Sequence, residues 1–236
     1  MPDVAVLDNP VWHALSGPQA TVAEGNGRAL RFDPELAPFA ALPDDATQAD
    51  WDALRALVGP GGLAVVVRDS IDPPPDWETV FAAGGAQMVW DGDRGDGRGP
   101  RPPEVQVLTV ADVPEMLDLV ERAQPGPIRE RTIELGTYVG IRAEGALVAM
   151  AGVRMHPPGF TEISAVCTDD AFRGRGLASV LVGWLVEEIT VRGETPCLHA
   201  VINNVTAIRL YEKIGFTLRR ELPFAALSPR SPSAER

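Results

Sequence analysis

Apolar and polar residues alternate along the C-terminal half of the chain in two different rhythms. Leu177, Val180, Leu181, Trp184 and Leu185 fall three and four apart, which predicts a helix with one buried stripe and Glu187 and Glu188 on its solvent side. Just before it, residues 160–168 alternate with period two. A strand there places Ile163, Ala165 and Cys167 on an apolar face and Glu162, Ser164 and Val166 on the other. Residues 138–142 and 146–155 read as two apolar strands joined by a tight turn at Glu144-Gly145, and His156-Pro-Pro-Gly159 ends the second, leaving His156 in a loop. Upstream, residues 105–108 suit a strand. Thr109 with Asp112 then opens an amphipathic helix through Val113, Met116, Leu117 and Val120 that stops before Pro125, and 127–135 suit a second short helix. Downstream, 196–202 form a strand, and a helix carries Ala207, Leu210 and Tyr211 on one face before Gly215 ends it.

The first 92 residues carry the same mixture on a smaller scale. Residues 29–32 suit a strand, Thr47 caps a helix running to Val58, and 62–67 form a buried strand. After Pro73-Pro74-Pro75 come a short helix at 76–83 and a strand at 86–90. Residues 91–103 lose all periodicity and are rich in Gly, Asp and Pro, the mark of a linker. The expected division is an N-terminal α/β domain at 1–92, a linker at 93–103, a second domain at 104–227 and a disordered tail at 228–236. His13, Trp12 and Trp51 sit among apolar residues and read as packing.

Composition narrows the functional classes. With 45% apolar residues among 236, the chain can build a proper core, and a formal charge of −12 argues against nucleic acid or an anionic membrane surface as partner. The two cysteines, Cys167 and Cys197, lack metal-type spacing and lie in predicted apolar strands, so they read as buried thiols with no metal site. The opening Met1-Pro-Asp-Val-Ala-Val has no basic segment. The apolar helical run at 177–186 is far shorter than the roughly 20 residues a bilayer needs, so a cytoplasmic monomer or homodimer is expected.

The chemistry concentrates where strand meets helix. The turn Arg173-Gly174-Arg175-Gly176-Leu177-Ala178 presents the unpaired N–H groups of a helix start behind a low glycine wall, a cradle for phosphate. Arg173 and Arg175 add positive charge, Ser179 adds a hydroxyl, and the helix dipole favours the same anion. If the strand 160–168 splays from its neighbour, the backbone of Val166 and Thr168 can pair with an extended ligand arm. Glu162 is then a candidate proton acceptor, with a salt-bridged strand residue as the alternative reading, and His199 is a second candidate base against a hydrogen-bonded core histidine.

These segments resemble a known family. Arg-x-x-Gly-x-Ala after a strand resembles motif A of the GNAT acetyltransferases. Asn203-Asn204-Val-Thr-Ala207-Ile-Arg-Leu210-Tyr211-Glu-Lys-Ile-Gly215-Phe216 is similar to the family's second signature, and Gly159-Phe160-Thr161-Glu162-Ile163 resembles the fourth strand of its histone acetyltransferase branch. The span from Thr132 to Phe224 looks nearest the glycine N-acyltransferase-like branch, and the resemblance covers about the C-terminal half, roughly 120 residues. It implies an α/β (α+β) GNAT fold, a mixed and mostly antiparallel sheet flanked by helices, with the N-terminal domain a degenerate copy of the same fold. It also implies acetyl-CoA as donor, without metal. Val166, Thr168, Arg173, Gly174, Arg175, Gly176, Leu177, Ala178, Ser179, Asn204, Ala207 and Tyr211 would hold it, Asn204 bonding the pantetheine arm. Glu162 would be the catalytic base and Tyr211 the proton donor to the leaving thiolate. The expected reaction is direct acetyl transfer in a ternary complex to a primary amine of a small molecule or amino acid. Two alternatives stay open: a non-catalytic acyl-CoA-binding regulator, and a protein or peptide N-acetyltransferase guided by the N-terminal domain.

Overall fold

The computed structural model describes residues 2–92, 104–123 and 126–230. They form two compact units that interleave along the chain. The first comprises Met1–Gly85, His156–Pro158 and Glu221–Arg236, and the second Ala86–Met155 and Gly159–Arg220. The boundary expected at 93–103 lies outside the described residues.

In the first unit, helix α1 (Pro10–Leu15) starts on a proline, whose fixed φ suits the first helical position. Strands β1 (Ala23–Gly25), β2 (Leu30–Phe32) and β3 (Ala40–Ala41) pair antiparallel in that order. Helix α2 (Gln48–Val58) opens with a capping box between Thr47 and Asp50, and Asp50 also takes two hydrogen bonds from Arg28, at 2.8 and 3.0 Å. Strands β4 (Ala64–Val67) and β5 (Trp77–Trp90) follow. Trp51 from α2 and Trp77 from β5 meet edge to face, ring centres 5.5 Å apart, over Leu54, Val66, Ala225 and Leu227. β5 corrects the helix expected at 76–83. Trp77, Thr79, Val80 and Phe81 are β-branched or aromatic, and such side chains fit an extended pleat better than a helical turn.

The second unit begins with the end of β5, from Ala86, and continues with β6 (Val105–Val107) and α3 (Val113–Ala123), the latter reached through a Thr109–Asp112 capping box. The helix expected at 127–135 is reduced to a 3-10 turn at Thr132–Leu135. Pro127 sits just before, and the Thr132 hydroxyl accepts from the Arg129 N–H at 2.7 Å, a local bond that competes with helical pairing. Strands β7 (Tyr138–Ala143) and β8 (Ala146–Val153) form the expected hairpin. Glu144 and Gly145 both have positive φ, 52° and 86°, as a primed two-residue turn demands. Gly152 on β8 is required by packing, since a Cβ there would lie 2.4 Å from the ring of Tyr138.

Then come β9 (Phe160–Thr168), α4 (Leu177–Val191), β10 (Thr195–Val201), α5 (Val205–Ile214) and β11 (Phe216–Pro229). Within this unit the strand order is β11-β5-β10-β9-β8-β7-β6. Pairs β6–β7, β7–β8 and β8–β9 are antiparallel, and β9–β10 is parallel. One face packs against α4 and α5 through Leu181, Val182, Leu185, Ile189 and Tyr211, and the other against α3 through Met116 and Leu119. In the first unit β4 pairs with the far end of β11, Leu227 opposite Ala64. Of the tail expected at 228–236, Ser228 and Pro229 belong to β11, with Ser228 buried, and residues 231–236 lie outside the described ones.

Candidate active site

The turn between β9 and α4 has the backbone its glycines predict. Asp169 accepts from the Ala171 N–H and caps the short 3-10 turn that leaves β9. Gly174 and Gly176 then take φ of 76° and 78°, and α4 starts. A Cβ at either glycine would meet nothing within 4 Å, so glycine suits these positions for its left-handed backbone, not for internal crowding. The first intrahelical bond runs from the Val180 N–H to the Gly176 carbonyl at 3.2 Å, which leaves the N–H groups of Leu177, Ala178 and Ser179 facing out of the helix end. Arg173 pairs with Asp170 at 2.6 Å and also reaches the Thr168 carbonyl at 3.4 Å. Arg175 lies over the ring of Phe172 at 4.7 Å. Both guanidinium groups thus stay at the mouth of the turn. Below it, Leu181, Trp184 and Leu185 are buried as expected, whereas Leu177 and Val180 are half-buried. Glu187, expected on the solvent side, is half-buried, with one carboxylate oxygen inaccessible and without a hydrogen-bond partner.

Beside the cradle, β9 and β10 part. Their register runs from Thr195 opposite Phe160 to Leu198 opposite Ile163 and then stops, although β9 continues to Thr168 and β10 to Val201. The edge of β9 that carries Val166 and Thr168 therefore turns away from β10. α5 lies beside the same opening. Asn204 caps it by accepting from the Ala207 N–H at 3.1 Å, which leaves its amide NH₂ as the group to offer a ligand. One and two turns on, Ala207 is half-buried and Tyr211 is 7% exposed, its ring edge-on to Phe216 at 6.1 Å. Burial, reinforced by neighbouring Cys167, pushes the Tyr211 phenol up to about 12, so the hydroxyl keeps its proton at neutral pH.

The face expected for β9 needs correction. Ala165 adopts φ +57° and the β8–β9 register slips between Met150 and Gly152, a bulge that reverses the alternation. Ile163 and Val166 pack on the α4 side, whereas Ala165 and Cys167 pack on the α3 side, so the three apolar residues do not share a face.

Glu162 belongs to a row of five polar side chains that crosses the sheet: Arg154 just beyond β8, Glu162 on β9, His199 on β10, Gln87 on β5 and Arg219 on β11. Arg154 grips Glu162 with two bonds of 2.9 and 3.0 Å, and His199 Nδ1 lies 2.8 Å from the same carboxylate. His199 Nε2 lies 3.0 Å from Gln87 Nε2, and Arg219 donates to Gln87 Oε1 at 2.8 Å. Glu162 is 1% exposed and Gln87 wholly buried. Burial alone would raise the Glu162 carboxyl, but the charges of Arg154 and the hydrogen bond to His199 outweigh it and hold the group down at about 2. Glu162, expected as a carboxylate facing away from the apolar layer, is instead an enclosed anion. His199 is hydrogen-bonded at both ring nitrogens. Sequence reading missed Gln87, Arg154 and Arg219; the one local signal is Gln87, a polar residue between Ala86 and Met88 in the apolar end of β5.

A groove of about 430 Å³ lies along Val107, Thr109, Ile133 and Thr137, but none of its lining residues is on β9, β10, α4 or α5. Cys167 and Cys197 are buried free thiols, and burial pushes both upward, Cys167 to about 12. Among the described residues no helix is long and apolar enough to cross a membrane.

Known proteins resemble the chain over these same elements. The family described as FR47-like protein matches residues 138–225. The crystal structure of a GNAT-family protein from Novosphingobium aromaticivorans is 38% identical, covering 95% of this chain and 99% of its own, with a TM-score of 0.87. An uncharacterized protein of Mycobacterium leprae is 32% identical over 169 residues, 66% of this chain, and the chain spans 45% of that relative's length. The [ribosomal protein bS18]-alanine N-acetyltransferase of Salmonella typhimurium is 29% identical over 125 residues, 49% of this chain and 84% of that enzyme.

Proposed function

Because the chain belongs to the GNAT family of acetyltransferases, we propose that it transfers the acetyl group of acetyl-CoA to a primary amine of a small molecule or amino acid, by direct attack in a ternary complex. The observation that carries this reading is the parting of β9 and β10 directly beside the glycine-turned start of α4. The N–H groups of Leu177, Ala178 and Ser179, with Arg173 and Arg175, suit the pyrophosphate. The β9 edge at Val166 and Thr168 suits the pantetheine amides, with the Asn204 NH₂ reaching the same arm. The amine nitrogen attacks the thioester carbonyl carbon, the C–S bond breaks and the sulfur leaves as thiolate. Tyr211, kept protonated by burial, donates a hydrogen bond to that sulfur as its charge grows. Glu162, a fixed anion near the end of the β9–β10 pairing, favours the positive charge that builds on the attacking amine nitrogen, whose proton passes to water as the C–S bond breaks.

Release of free thiol from acetyl-CoA in the presence of a panel of small amines and amino acids tests the reading. No release with any acceptor would leave a non-catalytic acyl-CoA-binding protein. The Salmonella relative supports a second reading, transfer to a protein N-terminus, so peptides beginning with alanine belong in the same panel. The cradle has its own test. Gly176→Glu forces a carboxylate into the place proposed for phosphate, so calorimetry should show acetyl-CoA affinity falling at least tenfold, about 1.4 kcal/mol or more. Undiminished binding would remove the cradle.

A further inference from the structure

Three of the five residues in the polar row, Arg154, Gln87 and Arg219, have no part in the reaction described above, yet their donor and acceptor chemistry fixes what the other two can do. A guanidinium only donates, so the Gln87 atom 2.8 Å from Arg219 must be the carbonyl Oε1. The Gln87 amide NH₂ then faces His199, and a ring nitrogen 3.0 Å from an NH₂ must offer its lone pair. Nε2 is therefore the acceptor, and the single ring proton sits on Nδ1. That N–H points at Glu162, 2.8 Å away, which Arg154 keeps ionised from its other side. The donors thus converge on Glu162, from Arg219 through Gln87 and His199 on one side and from Arg154 directly on the other.

We propose that Gln87, aimed by Arg219, is a positioning residue for acetyl transfer: it holds His199 as the neutral Nδ1–H tautomer, so that Glu162 stays an aligned anion at the opening between β9 and β10. The proposal rests on the acetyltransferase reading for its consequence in catalysis, but the tautomer itself does not. Gln87 suits the role because it is wholly buried, with His199 and Arg219 on its two sides. A residue that only filled space would not need an amide whose two ends are told apart by a cation.

The decisive variant is Gln87→Glu, which keeps size and shape and keeps a partner for Arg219, so the fold should survive. It replaces a donor to His199 with a second acceptor. In long-range proton–nitrogen NMR spectra of ring-labelled protein, His199 is one of only three histidines, and its signals are those that vanish in His199→Gln. The wild type should show one ring proton, on Nδ1. Gln87→Glu should show a proton on both ring nitrogens under the same conditions, the ring now lying between two carboxylates. In the thiol-release assay with the best acceptor of the panel, the same variant should lose turnover roughly ten- to hundredfold with KM for acetyl-CoA nearly unchanged. A ring proton on Nε2 in the wild type, or an unchanged spectrum or unchanged turnover in Gln87→Glu, overturns the proposal. If the wild type releases no thiol with any amine, the acetyltransferase reading fails by that result, while the spectra still decide whether Gln87 sets the tautomer.

Discussion

Tyr211 is held from two directions, by its place on α5 and by the edge of Phe216. Tyr211→Phe keeps that ring contact and removes only the hydroxyl, so acetyl-CoA affinity should stay within about twofold while turnover falls on the order of a hundredfold. Calorimetry and initial rates on the same preparation separate the two quantities, and a loss of affinity matching the loss of rate would show Tyr211 to be packing. Glu162 makes a different prediction, about stability. Its folded carboxyl titrates at about 2 against an ordinary 4.5, so the stabilisation it supplies is full above 4.5 and is lost as pH falls toward 2. That displacement corresponds to roughly 3 kcal/mol, in the range of about 3–5 kcal/mol for breaking a buried ion pair. Urea unfolding of wild type and Glu162→Gln should differ by about that much at pH 7, and the gap should shrink at pH 3. A gap that does not narrow would mean that Arg154 does not hold the carboxylate down.

At the scale of elements, legibility follows the range of the forces. The β9–turn–α4 junction was readable because glycines, arginines and an apolar helical stripe act on their immediate neighbours. The Glu144-Gly145 hairpin, the Thr47 cap and the Thr109–Asp112 box are readable for the same reason. The bulge at Ala165 was not, because alanine gives no local hint of a left-handed backbone. Only the pairing of β9 with β8, which is tertiary, imposes it. Ala165→Gly therefore should be neutral or stabilise by up to about 1 kcal/mol, since glycine adopts that φ without strain. A clear destabilisation in thermal unfolding would argue that the methyl group's packing on the α3 side outweighs the backbone. Strand β5 was misread at its first half because 76–83 is short and lacks either clean period, so β-branched and aromatic content had to decide. The polar row was invisible for a simpler reason: Gln87 and His199 are 112 residues apart.

For the whole molecule, that distance changes where the chain can be divided. A cut within 93–103 looks natural from composition, yet Ala86 to the end of β5 belongs to the second unit and lies between β10 and β11. Residues 104–236 alone would lack an inner strand and expose the unpaired edges of both neighbours. The fragment should be aggregated or largely unfolded by circular dichroism, whereas a fragment starting before Trp77 retains the strand. A well-folded, monomeric 104–236 would show that β5 is dispensable.

The same inner strand sets an order of events during synthesis. Residues 86–90 emerge early, but Thr217, which bonds the Val89 carbonyl at 3.3 Å, is made 128 residues later. At ordinary elongation rates that is roughly ten seconds in which β5 has no partner on that side. Pairings of such sequence separation are also the slow ones in refolding. The nascent chain must therefore carry an unfinished sheet until residues 216–220 are made, a period in which a chaperone would find its most exposed target in β5.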